Sequence, residues 1–181
     1  ADLAPALPQC ASFDTAFHAT NPKVATRYAI PKTTETKGIR RYGFHSLSYA
    51  SLVEILPALS GGPLPKRLLA FHLGNGASLC AIRDGRSTAT TMGYSPLDGL
   101  TMGTRAGGID ANAVLKLVED HGVLRAKAIL NNESGLLGLS GGKSDMRRLM
   151  LGPSPDSAFA VDHFVYWTLR HAGSLIAALE G

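Results

Sequence analysis

The chain has 181 residues, 45% hydrophobic and 18% charged, a balance that excludes disorder as the main state and fits one domain or two small ones. Eighteen lysines and arginines against fourteen acids leave a surplus of four. The cations are scattered in pairs such as Arg40 with Arg41 and Arg147 with Arg148, and only 7% of residues are aromatic, which argues against nucleic-acid binding and for a small anionic ligand. No apolar run approaches the roughly 18 to 20 residues that cross a bilayer, and Ala1 to Pro8 lacks the basic-then-apolar order of an export signal. Cys10 and Cys80 stand seventy positions apart without His or Cys neighbours at ligand spacing, so neither a disulfide framework nor a structural zinc site is expected. The expected setting is the cytoplasm, with no membrane partner.

Along the chain, Leu47, Ala50, Val53 and Leu56 recur at helical spacing, which predicts a short helix that Ser46 could cap and Pro57 would end. Residues 57–66 hold three prolines and two glycines and read as a loop. Leu68 to Leu73, Ala77 to Ile82 and Ser87 to Thr91 then read as three strands, with Asp84-Gly85 as a hairpin signal. Helices are expected near 111–120, 123–131 and 144–150, with Asp110 and Ser144 as N-caps, and from about 156 to 179. In the last, Val161, Phe164, Val165, Leu169, Ala172, Leu175, Ile176 and Leu179 repeat at three and four residues, a stripe that calls for a sheet to cover. Three strands followed by helices suggest an antiparallel meander at the edge of a mixed α/β sheet. The chain begins at Ala1 rather than Met and stops on a helical pattern at Gly181, which predicts a piece of a longer protein. No internal repeat or low-complexity segment is visible.

Several segments could carry chemistry. His72, Leu73, Gly74, Asn75 and Gly76 sit between the first two strands, where glycines free backbone N–H groups for a phosphate and His72 and Asn75 add side-chain donors; an ordinary polar hairpin tip fits the same residues. One guanidinium, Arg105, stands among Gly103, Gly107 and Gly108, and its planar fork suits phosphate oxygens; a surface arginine in a flexible loop is the alternative. His45 follows Tyr42 and Phe44 at a helix start, a place where histidine is more often structural than catalytic. Asp14, flanked by apolar residues, either caps a turn or edges a site. Ser140 to Arg147 joins a glycine turn to a helix start, suited to anions or to plain capping.

Five ordered segments together resemble the acetate kinase family: FDTAFH at 13–18, RRYGFHSLSY at 40–49, FHLGNGASL at 71–79, TTMGYSPLDGLTMGTRAG at 90–107 and SGLLGLSGGKSDMR at 134–147. The resemblance implies an incomplete α/β domain of ribonuclease-H-like type, as in actin, hexokinase and Hsp70. Residues 1–18 would be a remnant of a first kinase domain and 19–181 most of a second, nucleotide-binding one. It implies reversible phosphoryl transfer from ATP to acetate, with ADP and acetyl phosphate as products, Mg²⁺ present and a homodimer when full length. On the matching positions, Asp14, His45 and Arg105 resemble the catalytic set, His72 to Gly76 and Asp145, Met146 and Arg147 the nucleotide-binding segments, and Phe44 and Pro96 the lining of the acetate methyl pocket. No metal ligands are expected within these residues. Acids common in the family are replaced by Ala89 and Gly108, which predicts a divergent branch rather than a lost activity; other motifs of the family are not among these residues, so this stretch by itself is expected to turn over little. A propionate or butyrate kinase, or a nucleotide-binding piece without chemistry, are the alternatives.

Overall fold

Three short apolar runs, each closed by a glycine-bearing turn, build the sheet on which everything else rests. In the computed structural model, which describes residues 7–152 and 154–181, they are β1 (Arg67–Leu73), β2 (Ala77–Arg83) and β3 (Arg86–Thr90). The expectations for residues 1–6, the head of the first-domain remnant, lie outside the described residues. The strands pair antiparallel in the order β1-β2-β3, with Arg67 opposite Arg83 and Leu73 opposite Ala77. Asp84 and Gly85 both take positive φ, 50° and 73°, the backbone of a tight hairpin turn that matches the strand twist.

Strand β2 is buried on both faces, and its alternation sorts the core. Ala77, Leu79 and Ala81 pack with Met92, Leu100 and Met102 and with Ala172, Leu175 and Leu179. Cys80 and Ile82 turn the other way, toward Tyr49, Leu52, Val53 and Phe17. The first face is covered by α6 (Pro155–Ala178). The second is covered by α2 (Ser46–Ser60) and a 3-10 turn at Ala16–Thr20, which follows into a one-turn helix α1 (Lys23–Thr26). Burial pushes the Cys80 thiol up to about 12, so it behaves as a small apolar side chain.

Four helix expectations need correction. His45, not Ser46, is the N-cap of α2, in a left-handed conformation at φ 59°, ψ 27°. The helix also runs past Pro57 to Ser60. That proline removes a donor only near the helix end, and Gly61 at φ 66° supplies the stop. Asp145, not Ser144, caps α5 (Met146–Leu151), because its Oδ1 accepts the N–H groups of Arg147 and Arg148. The stripe on α6 is covered along one side only. Ala172 and Leu175 are buried while Val165, Leu169 and Ile176 stay exposed, since a three-stranded sheet is too narrow to span it.

Asp110 does cap α3 (Ala111–Asn132), accepting from Asn112 and Ala113. Gly122 at φ 78°, ψ 161° breaks it into the two expected pieces. The five-residue helix α4 (Gly135–Leu139) had no sequence signal, because tertiary bonds start it: Leu136 and Leu137 donate to the carbonyls of Met102 and Gly103. Gly135 has φ 62°, and a Cβ there would lie 2.1 Å from the Met102 carbonyl oxygen and 2.7 Å from that of Arg105. Gly135→Ala is therefore expected to cost more than about 1 kcal/mol, read as a lowered urea midpoint at unchanged m; an unchanged midpoint would mean that the 102–105 loop yields freely.

Candidate active site

The site is assembled where the N-terminus of α2 meets the β1–β2 turn. The backbone of the 13–20 segment reaches α2 from the side. Asp14 Oδ2 accepts the His45 N–H at 2.9 Å and the Asp14 carbonyl accepts the Ser46 N–H at 3.1 Å. The exposed Asp14 carboxylate thus caps, but at a helix start 31 residues away in sequence rather than at a local turn.

His18, buried, secures the same corner. Its Nε2 donates to the Phe44 carbonyl at 2.8 Å, and its Nδ1 lies 2.8 Å from the Ser87 hydroxyl. Gly43 passes so close beneath that a Cβ would come within 2.4 Å of the His18 ring. Burial holds the His18 pKa below its usual value. Phe44 itself packs against the α6-side core.

With its backbone fixed, His45 aims its imidazole across Gly76. A Cβ on Gly76 would sit 3.3 Å from both His45 Nε2 and Arg105 Nη1, so these two nitrogens flank the same glycine. His45 Nδ1 is 2.8 Å from the Ser78 hydroxyl, and the ring stacks on His72 at 3.9 Å between centroids. Burial first, then the His72 ring, push the His45 pKa down to about 4; Asp14 opposes and Arg105 adds to the shift. His45 is consequently neutral at neutral pH. His72 Nδ1 meets the Ser48 hydroxyl at 3.0 Å.

Arg105 is held from behind. Its Nη1 donates to the Pro96 carbonyl at 2.9 Å, so Pro96 touches the arginine through its backbone. The Gly103 N–H donates to the Asn75 carbonyl at 3.0 Å, and a Cβ on Gly103 would strike the Asn75 side-chain oxygen at 2.1 Å. These contacts lock the 102–105 loop to the β1–β2 turn. Beside them opens a cleft of about 460 Å³ lined by Leu73, Gly74, Asn75, Gly103, Leu136, Phe164 and Ser144 to Arg147. The turn and the Asp145, Met146, Arg147 segment therefore line one cavity, whereas His72 and Gly76 lie outside its lining, toward His45.

Among the described residues no group of three or more His, Cys, Asp or Glu side chains could by itself hold a metal, and no helix is long and apolar enough to cross a membrane. Ser78, Tyr49 and His18 escaped the sequence reading. Each is joined to the site across more than twenty residues of chain, and no local pattern marks such a contact.

A guanidinium and an imidazole meet at a glycine turn, with a carboxylate on the imidazole's backbone and a cleft adjoining, on a mixed α/β scaffold. The acetokinase family model matches residues 1–181, and the chain belongs to that family. It is 50% identical to the acetate kinase of Nitrobacter hamburgensis over 179 residues, 98% of this chain and 44% of that protein. The acetate kinase of Rhodopseudomonas palustris is 47% identical over 184 residues, 100% of this chain and 46% of that protein. Among solved structures, Porphyromonas gingivalis acetate kinase superposes with a TM-score of 0.90 at 34% identity, over 99% of this chain and 47% of that one. A propionate kinase from Francisella tularensis gives 0.88 at 36%, over 97% and 47%. The fold is that of these kinases, the actin, hexokinase and Hsp70 type, and the chain spans less than half the length of the curated relatives it matches.

The depressed His45 pKa makes a prediction about stability. Unfolded, the ring titrates near 6.5; folded, near about 4. Between those values the unfolded chain binds more protons, so stability falls as pH falls through the window and levels off below it. Urea midpoints measured across the window should decline, and the decline should be shallower in His45→Gln. An equal slope in the variant would show that His45 is not held neutral.

Proposed function

We propose that the protein transfers the γ-phosphoryl group of ATP to acetate, reversibly, giving acetyl phosphate and ADP. The observation that carries this reading is that Arg105 Nη1 and His45 Nε2 both come within 3.3 Å of one point, the Cβ position of Gly76, next to Asn75 and Gly103 of the cleft. A phosphoryl group in transfer spreads charge over three equatorial oxygens, and catalysis is mostly in-line positioning plus donors aimed at those oxygens. A fixed guanidinium and a neutral N–H donor set close together meet that need. Acetate is already an anion at neutral pH and requires no general base, so Asp14 serves better as an acceptor than as a proton abstractor.

On this reading, Leu73 to Asn75 and Asp145 to Arg147 hold the nucleotide in the cleft that they line. Phe44 and Pro96 border the carboxylate's methyl group. The exposed Asp14 carboxylate would orient Mg²⁺ through its waters, most of which the ion keeps when bound. When bound, the ion neutralises charge on the phosphate oxygens. Residues 1–18 would close a first domain and 19–181 form most of the nucleotide-binding one. The same reading sets the work in the cytoplasm, where ATP is held, and pairs the protein with a second copy. A propionate preference is the second reading, supported by the close superposition on a propionate kinase.

Acetyl phosphate formation by the whole protein tests the reading. Arg105→Ala should lower kcat by about 10²-fold or more, and wild-type turnover on acetate, propionate and butyrate should rank acetate first. Undiminished kcat in the variant would remove Arg105 from the chemistry; a higher kcat/KM for propionate would select the second reading. Calorimetric titration with ADP should show weaker binding in Asn75→Ala, and equal affinity would separate the cleft from the nucleotide.

A further inference from the structure

Ser78 is a buried serine in the middle of an apolar strand, and Tyr49 is a buried tyrosine on the face of α2 that packs against it; both are about 1% exposed or less. Neither hydroxyl is needed for packing, because the surrounding Ala70, Cys80 and Ile82 cluster is apolar. Their oxygens nevertheless touch each other, and Ser78 Oγ also lies 2.8 Å from His45 Nδ1. His45 and Tyr49 are four residues apart at the start of α2, so both rings reach β2 from one side of the helix.

We propose that Tyr49 and Ser78 are positioning residues for His45, holding its imidazole through a directed hydrogen-bond chain in the tautomer that carries its proton on Nε2. The proposal rests on the reading of His45 as a donor to the transferred phosphoryl group. The direction follows from counting protons. Ser78 Oγ is the hydrogen-bond partner of the Tyr49 hydroxyl, and a buried hydroxyl proton needs an acceptor, so Tyr49 places its proton on that oxygen. Ser78 Oγ accepts that proton's bond and has one proton of its own, which points to His45 Nδ1. An Nδ1 that accepts is unprotonated, so the neutral ring keeps its proton on Nε2, the atom that lies by Gly76 near Arg105.

Reversing the chain would present an Nε2 lone pair to an anion and leave the Tyr49 proton without an acceptor among its partners. Burial raises the Tyr49 pKa, which keeps that hydroxyl protonated and a donor throughout the working range. With every member satisfied, such a network is rigid in a way that a single hydrogen bond is not. The charged and titratable groups around the ring are Asp14, His18, His72 and Arg105, and of these only Asp14 is an acid; it accepts the His45 backbone N–H rather than a ring proton.

The test combines spectroscopy with kinetics on the whole protein. Imidazole ¹⁵N NMR at neutral pH, with the His45 signals assigned through His45→Gln, should show the Nε2–H tautomer in the wild type. Both Tyr49→Phe, which keeps the ring, and Ser78→Ala should move His45 toward a mixture of tautomers. In the same variants kcat should fall up to about tenfold, the worth of one hydrogen bond, with KM for ATP little changed. An Nδ1–H tautomer in the wild type, or an unaltered tautomer in both variants, overturns the proposal. An Nε2–H tautomer that shifts as expected in a protein without phosphoryl transfer would retain the chain and discard the kinase reading instead.

Discussion

A histidine in left-handed backbone geometry is costly, on the order of 1–3 kcal/mol, and the site depends on this one residue being kept there. Three contacts do so. The Asp14 carboxylate takes the His45 N–H, His18 pins the preceding carbonyl, and Gly43 lets His18 approach where any side chain would collide. With φ and ψ so fixed, the first turn of α2 starts in the correct direction, His45 looks toward Gly76, and Tyr49 follows one turn later onto β2. Loosening any of the three would free a strained backbone to relax and would swing the ring away.

The second half of the site is held by interlocked loops. Asn75 closes over Gly103, Met102 and Arg105 fold over Gly135, and the Pro96 carbonyl stops the guanidinium from turning back to solvent. These residues are held by contacts within the chain itself, so on the proposed reading little reorganisation is needed when charge develops between them. The neutrality of His45 belongs to the same logic. A charged imidazole would stand beside Arg105 and against the His72 ring in a poorly solvated corner, and repulsion and burial together make the uncharged donor the stable form.

Much of this was legible in the sequence wherever the cause is local. The strands, the Asp84-Gly85 turn, the break at Gly122 and the Asp110 cap each depend on a few adjacent residues. Five ordered motifs, through the family they resemble, were enough to single out Asp14, His45 and Arg105 as candidates for one site. What stayed hidden is what depends on distant chain. Ser46 looked like the cap because serine often is one, but Asp14 supplies those acceptors from outside the helix. Helix α4, flanked by glycines, forms only because Met102 and Gly103 offer carbonyls. The polar character of Ser78 has no meaning until α2 is laid across β2.

That last point connects sheet register to chemistry. Side chains along β2 alternate, so Ala77 and Leu79 go to α6 while Ser78 and Cys80 go to α2. The Leu73–Ala77 pairing that closes the β1–β2 turn also decides which of these reaches His45. A slip of one residue would exchange the faces: a leucine or alanine would meet the His45 Nδ1, and a serine would enter the apolar layer under α6. The hydrophobic demand for Ala77, Leu79 and Ala81 against Met92, Leu100 and Leu175 forbids that slip. The packing of the core, remote from any phosphate, is thereby what keeps a hydroxyl opposite the imidazole.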